Sequence, residues 1–236
     1  MSAVRTLDGE RVAVIAAHPD DEILGCGGTI ARHAAAGATV SVLIVAEGAT
    51  SRSAQRMREA HAPDLQDLAA CAHAAHAAVG TRHLSLLDFP DNRLDSVDFL
   101  DIVKAIETFL AAAAADTVYT HFPHDLNIDH RLVSEAVQTA CRPQPGATTR
   151  RLFFFEVASS TEWRLAGPGT TFSPNYFVDI EATLDKKLQA LSAYHPEMRP
   201  WPHARSLAAV EHLARWRGAS VGVPAAEAFV VGRQLA

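Results

Sequence analysis

Apolar runs of five to ten residues recur along the first two thirds of the chain. Between them lie longer stretches whose apolar positions fall at helical spacing. "RVAVIAA" (11–17) is a short continuous run, the pattern of a strand buried on both faces. "ILGCGGTIARHAAAG" (23–37) reads as a helix with Gly37 as its stop. "TVSVLIVAEG" (39–48) is a second buried strand, and a polar loop, "ATSRSAQR" (49–56), leads to an Ala-rich helix ending near Val79. "RHLSLLDF" (82–89), "DTVYTHF" (116–122) and "RRLFFFEVAS" (150–159) read as three further strands. Helices are expected between them at 97–115 and 129–142, the latter stopped by Pro143.

Strands alternating with helices of this length predict an α/β fold, a Rossmann-like open and mostly parallel sheet with helices on both faces. Beyond residue 160 the alternation breaks. A loop-like stretch precedes "YFVDI" (176–180), a candidate short strand. Helices are expected near 181–194 and 205–217, followed by an apolar tail, "AEAFVVGRQL" (226–235). This C-terminal third is expected to pack beside the sheet and wall one side of a pocket. No linker or internal repeat interrupts the pattern, so residues 1–236 read as a single domain.

Composition narrows the function classes. With 48% hydrophobic and 20% charged residues, the 236-residue chain has the profile of an ordinary soluble domain. A net charge of −6 without a basic run argues against a nucleic-acid surface. The opening segment reaches only a six-residue apolar run with charges just before it, too short for a signal peptide or a membrane span. Cys26, Cys71 and Cys141 are odd in number, scattered and without a CxxC pair, which suits reduced core thiols in a cytoplasmic protein. Composition leaves open whether the chain forms a homo-oligomer.

Chemistry enters at "AAHPDDEILGCGG" (16–28), where His18 is followed by three adjacent acids, Asp20, Asp21 and Glu22, at the junction of the first strand and helix. In open α/β sheets ligands bind beyond the carboxyl ends of the strands where the strand order reverses. In the commonest order, strands one and four are neighbours there. Strand four is followed by "THFPHDLNIDHR" (120–131), rich in histidine and aspartate. The two clusters would thus face one another across one crevice. A histidine after a strand is more often a core residue, and an aspartate at a helix start is usually a cap. It is the joint placement of the two clusters that points to a metal.

A catalytic zinc site takes three N or O ligands and leaves a fourth position for water. His18 and Asp21, three apart, with His130 as third, fit such a set. Asp20 would be left free as a base for the activated water, and Asp129 would orient a neighbouring group through a hydrogen bond. Glu22 reads as a first-turn acid favoured by the helix dipole. "GCGG" mimics a dinucleotide fingerprint, with Glu47 where a ribose-binding acid would stand. The spacing fails at Ile30, however, and the glycines read instead as close helix–sheet packing.

At these motifs the chain resembles the PIG-L/LmbE-like family of zinc-dependent N-acetyl-sugar deacetylases. "AHPDDE" (17–22) and "NIDHR" (127–131) carry the resemblance. "EG" after strand two, "FPDNRLD" (89–95), "EVASSTEW" (156–163) and "RGASVGVPAAEAF" (217–229) extend it over nearly the whole chain. The resemblance implies a metal-dependent amidohydrolase that removes an N-acetyl group from an N-acetylglucosamine-type sugar or conjugate. It implies Zn2+ (with Fe2+ as an alternative divalent cation) held by His18, Asp21 and His130, with Asp20 as general base. Many members carry a histidine where this chain has Asn127, which could donate a hydrogen bond to an oxyanion but cannot be a general acid. Either the acid role then falls to Asp20 after it has taken the water's proton, or a histidine elsewhere does the work, with His124 and His195 as candidates.

Further candidate substrate contacts are Arg52 and Arg56 after strand two, Asp91 and Asn92 after strand three, and His124, Trp163 and His195. Two alternatives from other classes stand beside the deacetylase. One is a nucleotide (NAD)-dependent oxidoreductase on the same kind of sheet. The other is a non-catalytic sugar-binding relative, against which an intact Asp20 argues.

Overall fold

The computed structural model describes residue 7, residues 9–167 and residues 169–235. Five parallel strands form the body of one sheet: β1 (Arg11–Ala16), β2 (Thr39–Ala46), β3 (His83–Phe89), β4 (Thr117–His121) and β5 (Arg151–Phe155). Helices α1 (Asp21–Ala35), α2 (Ala62–Val79), α3 (Phe99–Ala113) and α4 (Ile128–Ala140) make the crossovers. β6 (Tyr176–Asp179), α5 (Leu184–Ala193), α6 (Leu207–Ala219) and β7 (Ala226–Gln234) complete the chain. Among the described residues no helix is long and apolar enough to cross a membrane.

The sheet order is β3-β2-β1-β4-β5-β7-β6. β1 and β4 are therefore adjacent at the point where the winding reverses, as the sequence predicts. β1 is buried on both faces because its alternate residues enter two cores. Val12, Val14 and Ala16 join α1, α2, α5 and α6 on one side. Ala13 and Ile15 join α3 and α4 on the other. The apolar tail is not an appendage. It is β7, antiparallel to both β5 and β6 and inserted between them. A strand with neighbours on both edges and helices over its face reads as a continuous apolar run, which in sequence has no mark of its place in the order.

α1 is bent at Cys26, whose φ of −147° and ψ of 26° lie outside the helix. The bend exposes new N–H groups, as at any helix start. Glu227 of β7 accepts from Gly28 N (2.9 Å) and Thr29 N (2.7 Å), and its charge is balanced by buried Lys187 at 2.6 Å. Gly25 lies against the Phe155 ring: a Cβ there would stand 2.3 Å from the ring. The glycines thus serve helix–sheet packing. Cys26, Cys71 and Cys141 are free and buried.

Candidate metal centre and active-site cavity

The acidic triplet diverges because the backbone turns at its first member. Asp20 has φ 110° and ψ −29°, a left-handed conformation that costs a non-glycine residue energy. Local hydrogen bonds hold it: Asp20 N donates to Glu22 Oε2 (3.1 Å), and its carbonyl accepts from Leu24 N (2.8 Å). Asp21 opens α1, with its carboxylate accepting from His18 N at 2.9 Å. Glu22 is more than a first-turn acid. It is fully buried, receives the Tyr194 hydroxyl at 2.7 Å and lies 3.2 Å from His76 Nε2.

His18, Asp21 and His130 converge. One oxygen, Asp21 Oδ2, lies 3.2 Å from His18 Nδ1 and 3.1 Å from His130 Nε2. These separations approach the edge of a tetrahedron of donors around a zinc-sized ion, about 3.3 Å for bonds of about 2.0–2.1 Å. The far nitrogens meet further carboxylates: His18 Nε2 lies 3.1 Å from Asp129 Oδ2, and His130 Nδ1 lies 3.2 Å from Asp125 Oδ1. Such partners fix which ring nitrogen is free to bind a metal. The donor types, their spacing and their outer partners all fit a divalent cation.

Electrostatics lead to the same reading. Burial alone would depress both imidazole pKa values. For His18, hydrogen bonds to the Asp129 and Asp21 carboxylates outweigh it and hold the group well above its usual value. For His130 the charge of Asp21 and the bond to Asp125 raise it to about 9. Burial pushes Asp21 up, but His130 and His18 bring it well below the carboxylate range. Asp125 resists burial through His130, Ser160 and Thr161 and stays at about 2. This is a cluster with an excess of carboxylate that calls for positive charge at its centre. His121 stacks on His130 at 4.0 Å but accepts from Ala17 N through Nε2, and burial followed by the charge of His130 keeps it neutral.

Above this cluster lies a cavity of about 210 Å³, whose lining includes His18, Asp20, Asp21, Arg52, Asp91, Asn92, Asn127 and His130. Asp20 does not join the donor trio. Its Oδ2 pairs with Arg205 Nη1 at 3.1 Å. Burial, opposed by Arg205 and aided by the charge of Asp21, lifts its carboxyl well above the usual range. Asn127 caps α4 by accepting from Asp129 N (2.8 Å) and donates through Nδ2 to Asn92 Oδ1 (2.7 Å). One N–H of that amide is left for another acceptor. Asp91 accepts from Ser51 N (3.0 Å) and stands 3.4 Å from His18 Nε2. Asp129, already 3.1 Å from His18 Nε2, also accepts from Leu94 N at 3.1 Å.

Four expected contacts lie elsewhere. Arg56 turns away from the cavity and grips Glu47 with two bonds of 2.9 and 3.0 Å, because Glu47 is buried there and needs a cation. His124 packs edge-on against Phe122, and Trp163 against His203. His195 faces Cys71 and Asp67 of α2. None of the four lines the cavity. Conversely, Glu197 and Arg205, from the connection between α5 and α6, and Ser159 and Ser160 after β5 do line it. The serines lie within the "EVASSTEW" stretch. For Arg205 the sequence carries no local signal.

Comparison with known proteins gives one family match. The model described as PIG-L, GlcNAc-PI de-N-acetylase, matches residues 13–141, more than half of the chain. The diacetylchitobiose deacetylase of Thermococcus kodakarensis is 27% identical over 197 residues, covering 80% of this chain and 71% of that protein. The N,N'-diacetylchitobiose deacetylase structure from Pyrococcus horikoshii superposes with a TM-score of 0.76 at 18% identity, over 96% of this chain and 85% of that one. A 4-carboxy-2-hydroxymuconate hydratase from Pseudomonas putida KT2440 superposes with a TM-score of 0.73 at 20% identity, over 95% and 97% of the two chains. One fold thus carries different chemistries, and the site must decide between them.

Proposed function

Because the chain belongs to the PIG-L family, we propose that it is a zinc-dependent hydrolase that removes the N-acetyl group from an N-acetylglucosamine-type sugar or conjugate and releases acetate. The observation that carries this reading is the division of labour within the triplet. Asp21 shares one oxygen between His18 and His130, while Asp20, one position earlier, points into the cavity toward Arg205.

His18, Asp21 and His130 would hold the metal. When bound, zinc lowers the pKa of a coordinated water to roughly 7 and polarises a carbonyl oxygen. The remaining work falls to this chain's side chains. Asp20 takes a proton from the attacking water as the water oxygen bonds to the acetyl carbon. It then returns that proton to the amide nitrogen as the C–N bond breaks, leaving a free amine and acetate. His124 and His195 lie outside the cavity, which supports Asp20 as the group that serves in both directions. The spare N–H of Asn127 is available to the carbonyl oxygen as charge builds on it. Arg52, Asp91 and Asn92 offer hydrogen-bonding partners for sugar hydroxyls at the mouth.

An oxidoreductase reading finds no support in the geometry. Gly25 and Gly28 face Phe155 and Ile180 rather than a pyrophosphate, and Glu47 is held by Arg56, Arg58 and Thr50. The deciding experiment measures acetate release from a panel of free, nucleotide-linked and lipid-linked N-acetyl sugars, with zinc-loaded and chelator-treated protein. Release that needs zinc and Asp20 supports the proposal. No release from any of the panel by the zinc-loaded protein overturns it.

A further inference from the structure

His195, which the cavity leaves out, belongs to a second group of donors. Asp67 and Cys71 are four apart on α2 and so share a face of that helix. His195 comes from the turn after α5 and lies over that face. Its Nδ1 is 3.8 Å from Cys71 Sγ, and its Nε2 is 3.9 Å from Asp67 Oδ2. One donor atom from each of the three lies within 4.8 Å of the others. From this arrangement we infer that Asp67, Cys71 and His195 form a second divalent-metal site, suited to a borderline-soft ion such as Zn2+, apart from the catalytic centre.

The three contribute O, S and N, a set zinc accepts, and leave an open position toward solvent beside exposed Asp67 and His195. The same three residues have the order of a Cys–His–Asp nucleophilic triad, but the surroundings argue against that use. Asp67 and Glu197 place negative charge around a buried thiol, where an activated thiolate needs positive neighbours. A divalent cation would be attracted by that field. The site also joins two parts of the molecule. His195 is flanked by Tyr194, whose hydroxyl holds Glu22, and is followed by Glu197, which lines the catalytic cavity and contacts Arg52. A metal bound there ties α2 to the segment that forms the cavity wall.

Cobalt separates the two sites, because only the second contains sulfur. Titrating the intact metal-free protein with Co2+ should show, after the first equivalent, a near-ultraviolet thiolate-to-cobalt charge-transfer band that saturates with a second bound ion. Cys71→Ser should remove the band while still binding one equivalent, and His195→Ala should weaken the second binding at least about tenfold. A second equivalent of Zn2+ should raise the melting temperature of the wild type but not of Cys71→Ser. Failure to see the band at two equivalents, or its persistence in Cys71→Ser, overturns the inference. The readout needs no substrate, so failure of the deacetylase proposal leaves it unchanged.

Discussion

Arg205 Nη1 contacts Asp20 Oδ2 at 3.1 Å across 185 positions of sequence. The pairing matters because Asp20 is buried beside two other acids, Asp21 and Glu22, and burial disfavours its ionised form. A general base works only when ionised, so the acidic limb of the pH–rate profile follows its pKa. Arg205 opposes the upward shift. Arg205→Ala should therefore move the acidic limb of kcat/KM to higher pH and lower turnover at neutral pH, with zinc content unchanged. A limb that stays in place would show that Arg205 does not act on Asp20.

The neighbouring aspartates should separate on mutation. Asp20→Asn keeps the shape of the side chain but cannot accept a proton. It should retain zinc and lose at least about a hundredfold in turnover. Asp21→Asn should weaken zinc binding, with activity partly restored at high zinc. Zinc stoichiometry and turnover for both variants check the assignment, and loss of zinc in Asp20→Asn alone would exchange the two roles.

Asn127 has an observed duty, capping α4, and a proposed one, donating to an oxyanion, that one substitution can divide. Asn127→Ser keeps an N-cap acceptor for Asp129 N, so α4 should lose little stability. A serine hydroxyl is too short to replace the amide N–H at the cavity. Turnover should fall roughly a hundredfold, the scale of losing one oxyanion donor, with KM nearly unchanged. Unaltered turnover in this variant would leave Asn127 as a cap and nothing more.

Gly25→Ala tests a packing chain that ends at His130, a proposed metal donor. The added methyl would meet Phe155 at 2.3 Å. Phe155 packs on His121 with centroids 4.8 Å apart, and His121 stacks on His130. Overpacking of this kind costs about 1–3 kcal/mol. Urea denaturation should show that loss, and zinc affinity should fall with it as His130 is displaced.

His33 predicts a pH dependence of stability far from the cavity. Its Nε2 lies 3.0 Å from the Tyr119 hydroxyl, and burial lowers its pKa from 6.5 to about 4. The unfolded chain thus binds a proton that the folded chain refuses. The contribution is complete above pH 6.5 and is lost as pH falls toward 4, reaching about 2 kcal/mol at pH 5. Denaturation at pH 7 and pH 5 should show a drop in the wild type that exceeds the drop in His33→Gln by about that amount.

The parallel core and the donor trio were legible for a shared reason: each rests on local spacing and one common strand order. His18 and Asp21 are three apart, and His130 follows β4, the neighbour of β1. Residues whose direction depends on irregular backbone were not legible. Arg52 and Arg56 occupy one loop, yet only Arg52 reaches the cavity. Arg205 arrives from a segment between two helices whose apolar pattern says nothing of where the connection folds back. The place of β7 was hidden similarly, because an apolar run shows that a strand is buried without showing which strands flank it.

The bend in α1 also sets a timetable. Asp21, a proposed metal donor, stands at the start of that helix, yet Gly28 N and Thr29 N, freed by the bend at Cys26, find their acceptor in Glu227. During synthesis, a nascent chain halted short of residue 227 holds all three proposed metal donors but lacks the group that finishes the helix opened by Asp21. Amide exchange at Gly28 and Thr29 in such arrested chains should remain fast and slow only once β7 has entered the sheet. The proposed metal donors, all within the first 130 residues, gain their finished helix only with the ninety-seven that follow.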